Sequence, residues 1–302
     1  MFSVASTSTN KKSKLKAFQT FLNRHKASKG ATTITHTSYT GGRYSIPQSE
    51  NDEFIKVYYD CLKDNNELNF IERRLPYYGP IRLDLDFKQN GNSRVYDEEW
   101  IKEFIASLWR VIKQYIDVDS IREANLCFVT ENPEPVKIEN KNKPENSCRW
   151  KDGVHLFIPF VVTSPEIQKM LREELLEETR DMIQALDITN EPEDVIDECV
   201  LDKNGWTMFG SCKPGRKPYE LTGIWWARSE SSPYLIPEEE DEIDENLDKS
   251  IKKVMVEYSN YYDPLDKKYR KKLITALSIR KPDVRDVVQL TAFGSSQLEY
   301  WK

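Results

Sequence analysis

The chain has 302 residues, with 50 acids against 44 bases and a formal charge of −6. Its 38% apolar content, with 11% of all residues aromatic, is enough to bury a core and excludes wholesale disorder. The acidic balance argues at first against a nucleic-acid binder, whose usual footprint is a basic surface. That argument weakens locally, because eight acids and no base lie between Glu238 and Asp248. Setting those eight aside moves the balance of the remainder from −6 to +2.

The five cysteines (Cys61, Cys127, Cys148, Cys199 and Cys212) show no paired metal-ligand spacing, so reduced thiols are expected and no zinc. No apolar leader opens the chain. The most continuous apolar stretch, Val154–Val162, is far short of the ~18 residues of a membrane span. The expectation is a soluble intracellular protein with no membrane partner.

Residues 1–13 are polar and rich in Ser, Thr and Lys, a composition that predicts disorder. Leu15, Phe18, Phe21 and Leu22 predict a short amphipathic helix among basic residues, and Phe54, Ile55, Tyr58 and Leu62 a second over 52–63. The period then changes to two. Strands are predicted over 67–73 and 81–88, separated by a turn around Pro76–Pro80. In the second of these, Ile81, Leu83, Leu85 and Phe87 take one face, and Arg82, Asp84, Asp86 and Lys88 the other. A helix over 97–116 follows, then strands at Asn125–Thr130 and Val154–Val162 around a polar loop. Ser164 as N-cap and Pro165 at the first helical position open a helix reaching about Leu186. Strand signals return at Val195–Val200 and Trp206–Phe209.

From Ile81 the order is strand, helix, strand, strand, helix, strand. That is the α+β, ferredoxin-like or RRM-like βαββαβ arrangement. Its first and third strands are neighbours, the fourth flanks the first, and both helices cover one face, leaving the other free for chemistry. An extra α/β unit precedes this sheet. The expected organisation is a flexible basic segment with a short helix at 1–34, a catalytic domain at 35–237, an acidic linker at 238–248 and a helical segment at 249–302.

Residues i and i+2 of a strand share a face, so Asp84 and Asp86 converge. Two such carboxylates repel unless a cation lies between them, and Mg²⁺ or Mn²⁺ on carboxylates is a common way to present a nucleoside triphosphate. Taken alone, a DxD is more often a polar solvent face, and a histidine among apolar neighbours is more often a core residue. His155 gains meaning from Lys151 and Gly153 before it, on the strand expected beside the DxD. Asp197 interrupts an apolar run where the fourth strand should be and is the natural third ligand, with Asp202 a weaker one. Gly210–Ser211–Cys212–Lys213 offers amides, a hydroxyl and an ammonium to phosphate oxygens. No helix opens after Gly215, so a Walker A reading fails. Three carboxylates with a histidine and lysines on one sheet face point to two-metal phosphoryl transfer. A nuclease, reading Asp86–Phe87–Lys88 as acid-x-Lys, and a non-catalytic RRM-like nucleic-acid-binding module are the rivals.

The set Asp84-x-Asp86, Lys151-x-Gly153-x-His155, and Asp197 with Asn204 and Ser211–Cys212–Lys213 resembles the archaeo-eukaryotic primase superfamily. FIERR (70–74), LDLDFK (83–88), KDGVHLFIP (151–159) and NGWTMFGSCKPGRKPY (204–219) are similar to the primase domain of primase-helicases of large nucleocytoplasmic DNA viruses, over about residues 35–225. The resemblance implies primer synthesis on single-stranded DNA from nucleoside triphosphates. Asp84, Asp86 and Asp197 would hold two Mg²⁺ or Mn²⁺ ions. His155, Lys151, Ser211, Lys213 and Arg73 would contact the nucleotide. Trp206, Arg216 and Lys217 are candidates for the template, and a helicase domain or protein is the expected partner. Two departures stand out: the family's SxH serine is Gly153, and an arginine of related primase-polymerases is Met208. Arg216 or Arg82 would then supply phosphate contacts.

Overall fold

The computed structural model describes residues 4–64, 67–118, 125–138, 150–227, 251–254, 261–263, 268–280 and 288–301; the acidic linker and Cys148 lie outside the described residues. The first half runs α1 (Val4–Arg24), β1 (His36–Ser38), β2 (Arg43–Tyr44), α2 (Asn51–Lys63), β3 (Phe70–Glu72), β4 (Gly79–Gln89), α3 (Glu98–Tyr115), β5 (Leu126–Glu131) and β6 (Val136–Lys137). The second half runs β7 (Trp150–Thr163), α4 (Pro165–Gln184), α5 (Pro192–Val195), α6 (Cys199–Asp202), β8 (Trp206–Thr207), β9 (Glu220–Ala227), β10 (Ile251–Lys253), β11 (Tyr262–Asp263), β12 (Lys268–Tyr269), α7 (Lys271–Ala276) and α8 (Ala292–Trp301).

The main sheet has the order β10-β9-β5-β7-β4, with β6 pairing to β7 off that path. As the pattern predicted, β4 and β7 are antiparallel neighbours. Local signals explain the helices: Asp97 accepts from the Trp100 amide at 2.9 Å to start α3, and Ser164 from the Ile167 amide at 3.4 Å to start α4. Both helices pack on the face carrying Leu83, Leu85, Val154 and Leu156.

The second sheet, β2-β1-β3-β8, belongs to the N-terminal unit. Phe18, Phe21, Phe54, Tyr58 and Phe70 form its aromatic core. Helix α1 begins at Val4, so the polar stretch expected to be disordered is helical. Burial of Phe18, Phe21 and Leu22 fixes the later turns, and each further residue then adds a hydrogen bond without a new nucleation cost. Part of its basic face is paired, Lys14 with Asp64 and Arg24 with Glu53.

Three other expectations need correction. Residues 195–200 are not a strand. Pro192 starts the short helix α5, α6 follows, and between them Ile196 makes a single antiparallel bridge to Leu85. The fourth-strand position of the ferredoxin order is thus reduced to one residue, and the sheet extends on its other side by β9 and β10. Second, the far face is not wholly free. Leu126, Phe128, Phe157 and Ile224 are roofed by Val200, Leu201, Trp206, Leu273 and Leu277. Among the described residues, the end bearing Asp84 and Asp86 opens onto a cavity. Third, the tail is not simply helical: β10 pairs with β9, and α7 buries Ile274 in the N-terminal core.

Glu72 ties this tail to β3. It is 2% exposed and accepts from the Ser278 hydroxyl at 2.7 Å and the Ile279 amide at 2.8 Å, with His36 Nε2 3.7 Å away. Glu72→Ala should lower unfolding stability by about 2–4 kcal/mol, since it strands a buried amide and hydroxyl. Urea unfolding checks this: an unshifted midpoint would show that the tie carries no stability.

Candidate active site

The register of β4 against β7 builds the site. Asp84 faces His155 and Asp86 faces Gly153, on the face opposite the helices. Asp197 arrives from the chain that bridges Leu85: its amide donates to the Asp84 carbonyl at 3.0 Å, and its Oδ1 accepts from the Cys199 amide at 2.8 Å. Asp84, Asp86 and Asp197 each offer a carboxylate oxygen within 4.8 Å of the others, close enough for shared divalent ions. Asp202 is elsewhere, held by Lys169. The geometry therefore selects Asp197 over Asp202 as the third member.

A cavity of about 710 Å³ opens over these carboxylates. Lys151, His155, Lys213, Arg73, Asn204, Arg216 and Lys217 line it, so sequence-predicted residues from four separate segments meet there. Lys151 Nζ lies 2.6 Å from Asp86 Oδ2. Asp84 Oδ1 is buried without a hydrogen-bond partner among the described residues, and His155 Nε2 stands 3.5 Å from it. Burial, with repulsion from Asp86 and Asp197, pushes the Asp84 carboxyl up to about 8, despite Lys151 and Lys213. Burial, with Lys151 and Lys213 nearby, pushes His155 down to about 3. His155 is thus neutral at physiological pH and faces Asp84 as a dipole, not a cation. An orphaned buried oxygen and a carboxyl forced toward its neutral form are what a metal site shows when its donors converge without a cation, so the residues fit a divalent ion.

Other expected residues are placed differently. Ser211 lines the cavity, but its Oγ accepts from the Phe70 amide at 3.0 Å. Tyr58 hydrogen-bonds both the Phe209 carbonyl and Ser211 Oγ, so the serine proton goes to Tyr58. Ser211 braces the loop and has no proton left for a phosphate. Gly210, at φ 83°, makes the turn before it, and a Cβ there would strike Leu62. Trp206 is 5% exposed and packs on His155 and Phe157, a wall and not a stacking platform for template bases. Trp225 and Trp226 face opposite cores, as alternation requires. Arg82 is buried and donates to the Val200 carbonyl at 2.6 Å, away from any phosphate. Lys217 pairs with Glu134 at 2.8 Å.

Two tyrosines were not foreseen. Tyr39, from the N-terminal unit, reaches the cavity with its hydroxyl 2.7 Å from Thr207 Oγ1. Tyr219 stacks on His155, ring centroids 4.0 Å apart and planes at 15°. Tyr39 lies outside every motif and had no signal. Tyr219 ends the 204–219 motif, and its proximity to His155 depends on β9 joining this sheet.

Cation-ready carboxylates on an RRM-like sheet, with lysines and a histidine over one cavity, define a metal-dependent nucleotidyl-transfer class of site. Residues 35–225 match the family model described as the C962R protein N-terminal AEP domain, and the chain belongs to this archaeo-eukaryotic primase (AEP) family. It is also 30% identical over 234 residues, 74% of its length, to a protein of Acanthamoeba polyphaga mimivirus described as a helicase, L207/L206. The chain spans 23% of that relative's length. No helix among the described residues is long and apolar enough to cross a membrane.

The raised Asp84 value makes a linkage prediction. A carboxyl raised above its ordinary value contributes stability below about pH 4 that is lost as pH rises toward about 8. Without metal, the unfolding midpoint should therefore fall between pH 5 and 8. Asp84→Asn should raise it by ~2 °C or more at pH 8 and by less at pH 5. Thermal unfolding in chelator checks this; equal shifts at both pH values would refute the strained carboxyl.

Proposed function

We propose that this chain is a DNA primase-polymerase domain that makes primers on single-stranded DNA from nucleoside triphosphates. The observation that carries the reading is the convergence of Asp84, Asp86 and Asp197 beneath Lys151, Lys213 and His155 in one open cavity. These carboxylates would hold two Mg²⁺ or Mn²⁺ ions, which would supply an activated 3′-hydroxyl and charge neutralisation at the triphosphate. Lys151 now provides the counter-charge at Asp86. With a divalent ion held by the carboxylates, the Lys151 ammonium would be available to the phosphates of a bound triphosphate. Lys213 and Arg216 add positive charge to the lining of the same cavity, and neutral His155 can donate an imidazole N–H to a phosphate oxygen. The new bond joins the 3′-oxygen to the α-phosphorus, and the α–β bridging bond breaks to release pyrophosphate.

The relative's description as a helicase supports a working partnership with a helicase, which would deliver single-stranded template. A nuclease is less well supported, because Lys88 does not line the cavity. An RRM-like binding module is also weaker, since Phe128 and Phe157 lie under the roof and not open to bases.

Incubation with labelled nucleotides, Mn²⁺ or Mg²⁺ and primer-free single-stranded DNA should yield short extended products. Asp84→Ala/Asp86→Ala should reduce them to background. His155→Ala should weaken nucleotide Kd by roughly fivefold to tenfold, as for loss of one hydrogen bond to a charged group, with metal affinity nearly unchanged. Products of cleavage alone, or synthesis that survives loss of both aspartates, would overturn the reading.

A further inference from the structure

Position 153 has no side chain, and the space above it is filled from another strand. A Cβ on Gly153 would collide with the Tyr219 hydroxyl oxygen and would lie 3.2 Å from the Leu85 carbonyl. Gly153 sits directly across from Asp86 in the β4–β7 register, so the Tyr219 hydroxyl stands beside the carboxylates. Three further observations mark it as more than packing. Tyr219 lines the cavity along with Asp84, Asp86, Lys151 and Lys213. Its ring lies nearly parallel against His155. Its hydroxyl has no hydrogen-bond partner among the described residues, in contrast to Tyr39, whose hydroxyl bonds to Thr207.

We propose that Tyr219 is a nucleotide-contacting residue whose hydroxyl, held over Gly153, donates a hydrogen bond to a phosphate oxygen of the bound triphosphate. The inference rests on the primase reading of the same site. A phenol can donate there because burial and the neighbouring carboxylates keep it protonated. The hydroxyl makes no hydrogen bond to the neighbouring carboxylates among the described residues, so its proton is available to a ligand that brings acceptor oxygens into the cavity, and a triphosphate is such a ligand. The stack holds the tyrosine ring and His155 as one unit, so both donors face the ligand from fixed positions. Gly153 is the other half of the device: only a residue without Cβ leaves room for the hydroxyl.

The test is titration of the full chain with ATP and with dATP, each with Mn²⁺ and without template, followed calorimetrically. Tyr219→Phe keeps the stack and removes the donor. It should weaken nucleotide Kd roughly tenfold while Mn²⁺ affinity alone stays within about twofold. Gly153→Ala should weaken binding in the wild-type background and have a smaller effect in Tyr219→Phe, because the hydroxyl it would displace is gone. A Tyr219→Phe variant that binds as tightly as wild type overturns the proposal. So does a parallel loss of Mn²⁺ affinity, or strictly additive losses in the pair. Wild-type chain that binds neither nucleotide would instead overturn the primase reading itself.

Discussion

Everything at the candidate site follows from bringing three negative side chains together on a partly buried surface. Carboxylate oxygens within 4.8 Å of one another cannot all stay charged and desolvated without compensation. The fold supplies compensation in three forms. Lys151 gives a direct counter-charge at Asp86, the Asp84 carboxyl is pushed toward its neutral form, and His155 is kept uncharged so that its ring does not add to the cost. Each form is reversible by a divalent ion. The arrangement is therefore strained in a specific way: it holds its charges in the places where a divalent ion and a triphosphate would exchange with them. The acidic balance of the chain has the same resolution, since the acids that matter to substrate are those whose sign a cation reverses.

Much of this was legible in the sequence because the period-two pattern is unambiguous where one face is buried. Alternation in 81–88 placed Asp84 and Asp86 together, and the βαββαβ order placed the strand Val154–Val162, with His155 on it and Lys151 just before it, beside them; β7 begins earlier, at Trp150, and takes in Lys151 as well. What failed was local chemistry with more than one outcome. Pro192 favours a helix start, yet Val195–Val200 reads as apolar alternation; the helix took both flanks and left Ile196 as the only strand-like residue. The hydroxyl of Ser211 looked free because its partners, Phe70 and Tyr58, lie 141 and 153 residues away in the chain. Tyr219 was invisible for the same reason, because its place against His155 depends on pairing between β5 and β9, which no local signal encodes.

The family match and the folded unit do not have the same edges. The match covers 35–225, while α1 lies before it and β10, α7 and α8 lie after it: α1, α7 and α8 pack into cores that the matched residues share, and β10 pairs with β9. The site draws on both sheets, with Asp84, Asp86 and His155 from the main one and Thr37, Tyr39 and Arg73 from the N-terminal one. The cavity is thus a cleft between two sheets, and its width depends on how those sheets are held.

The pairing of β10 with β9 has a practical consequence for handling the protein. A fragment cut at the end of the family match would leave β9 as a bare sheet edge, with its row of amides and carbonyls open to any passing strand. The same cut would uncover Phe128, Phe157 and Ile224, now sheltered by Leu273 and Leu277. Such a piece would carry every residue of the acidic triad and still be prone to self-association. Shortening this protein for crystallisation or assay should therefore keep β10 and α7.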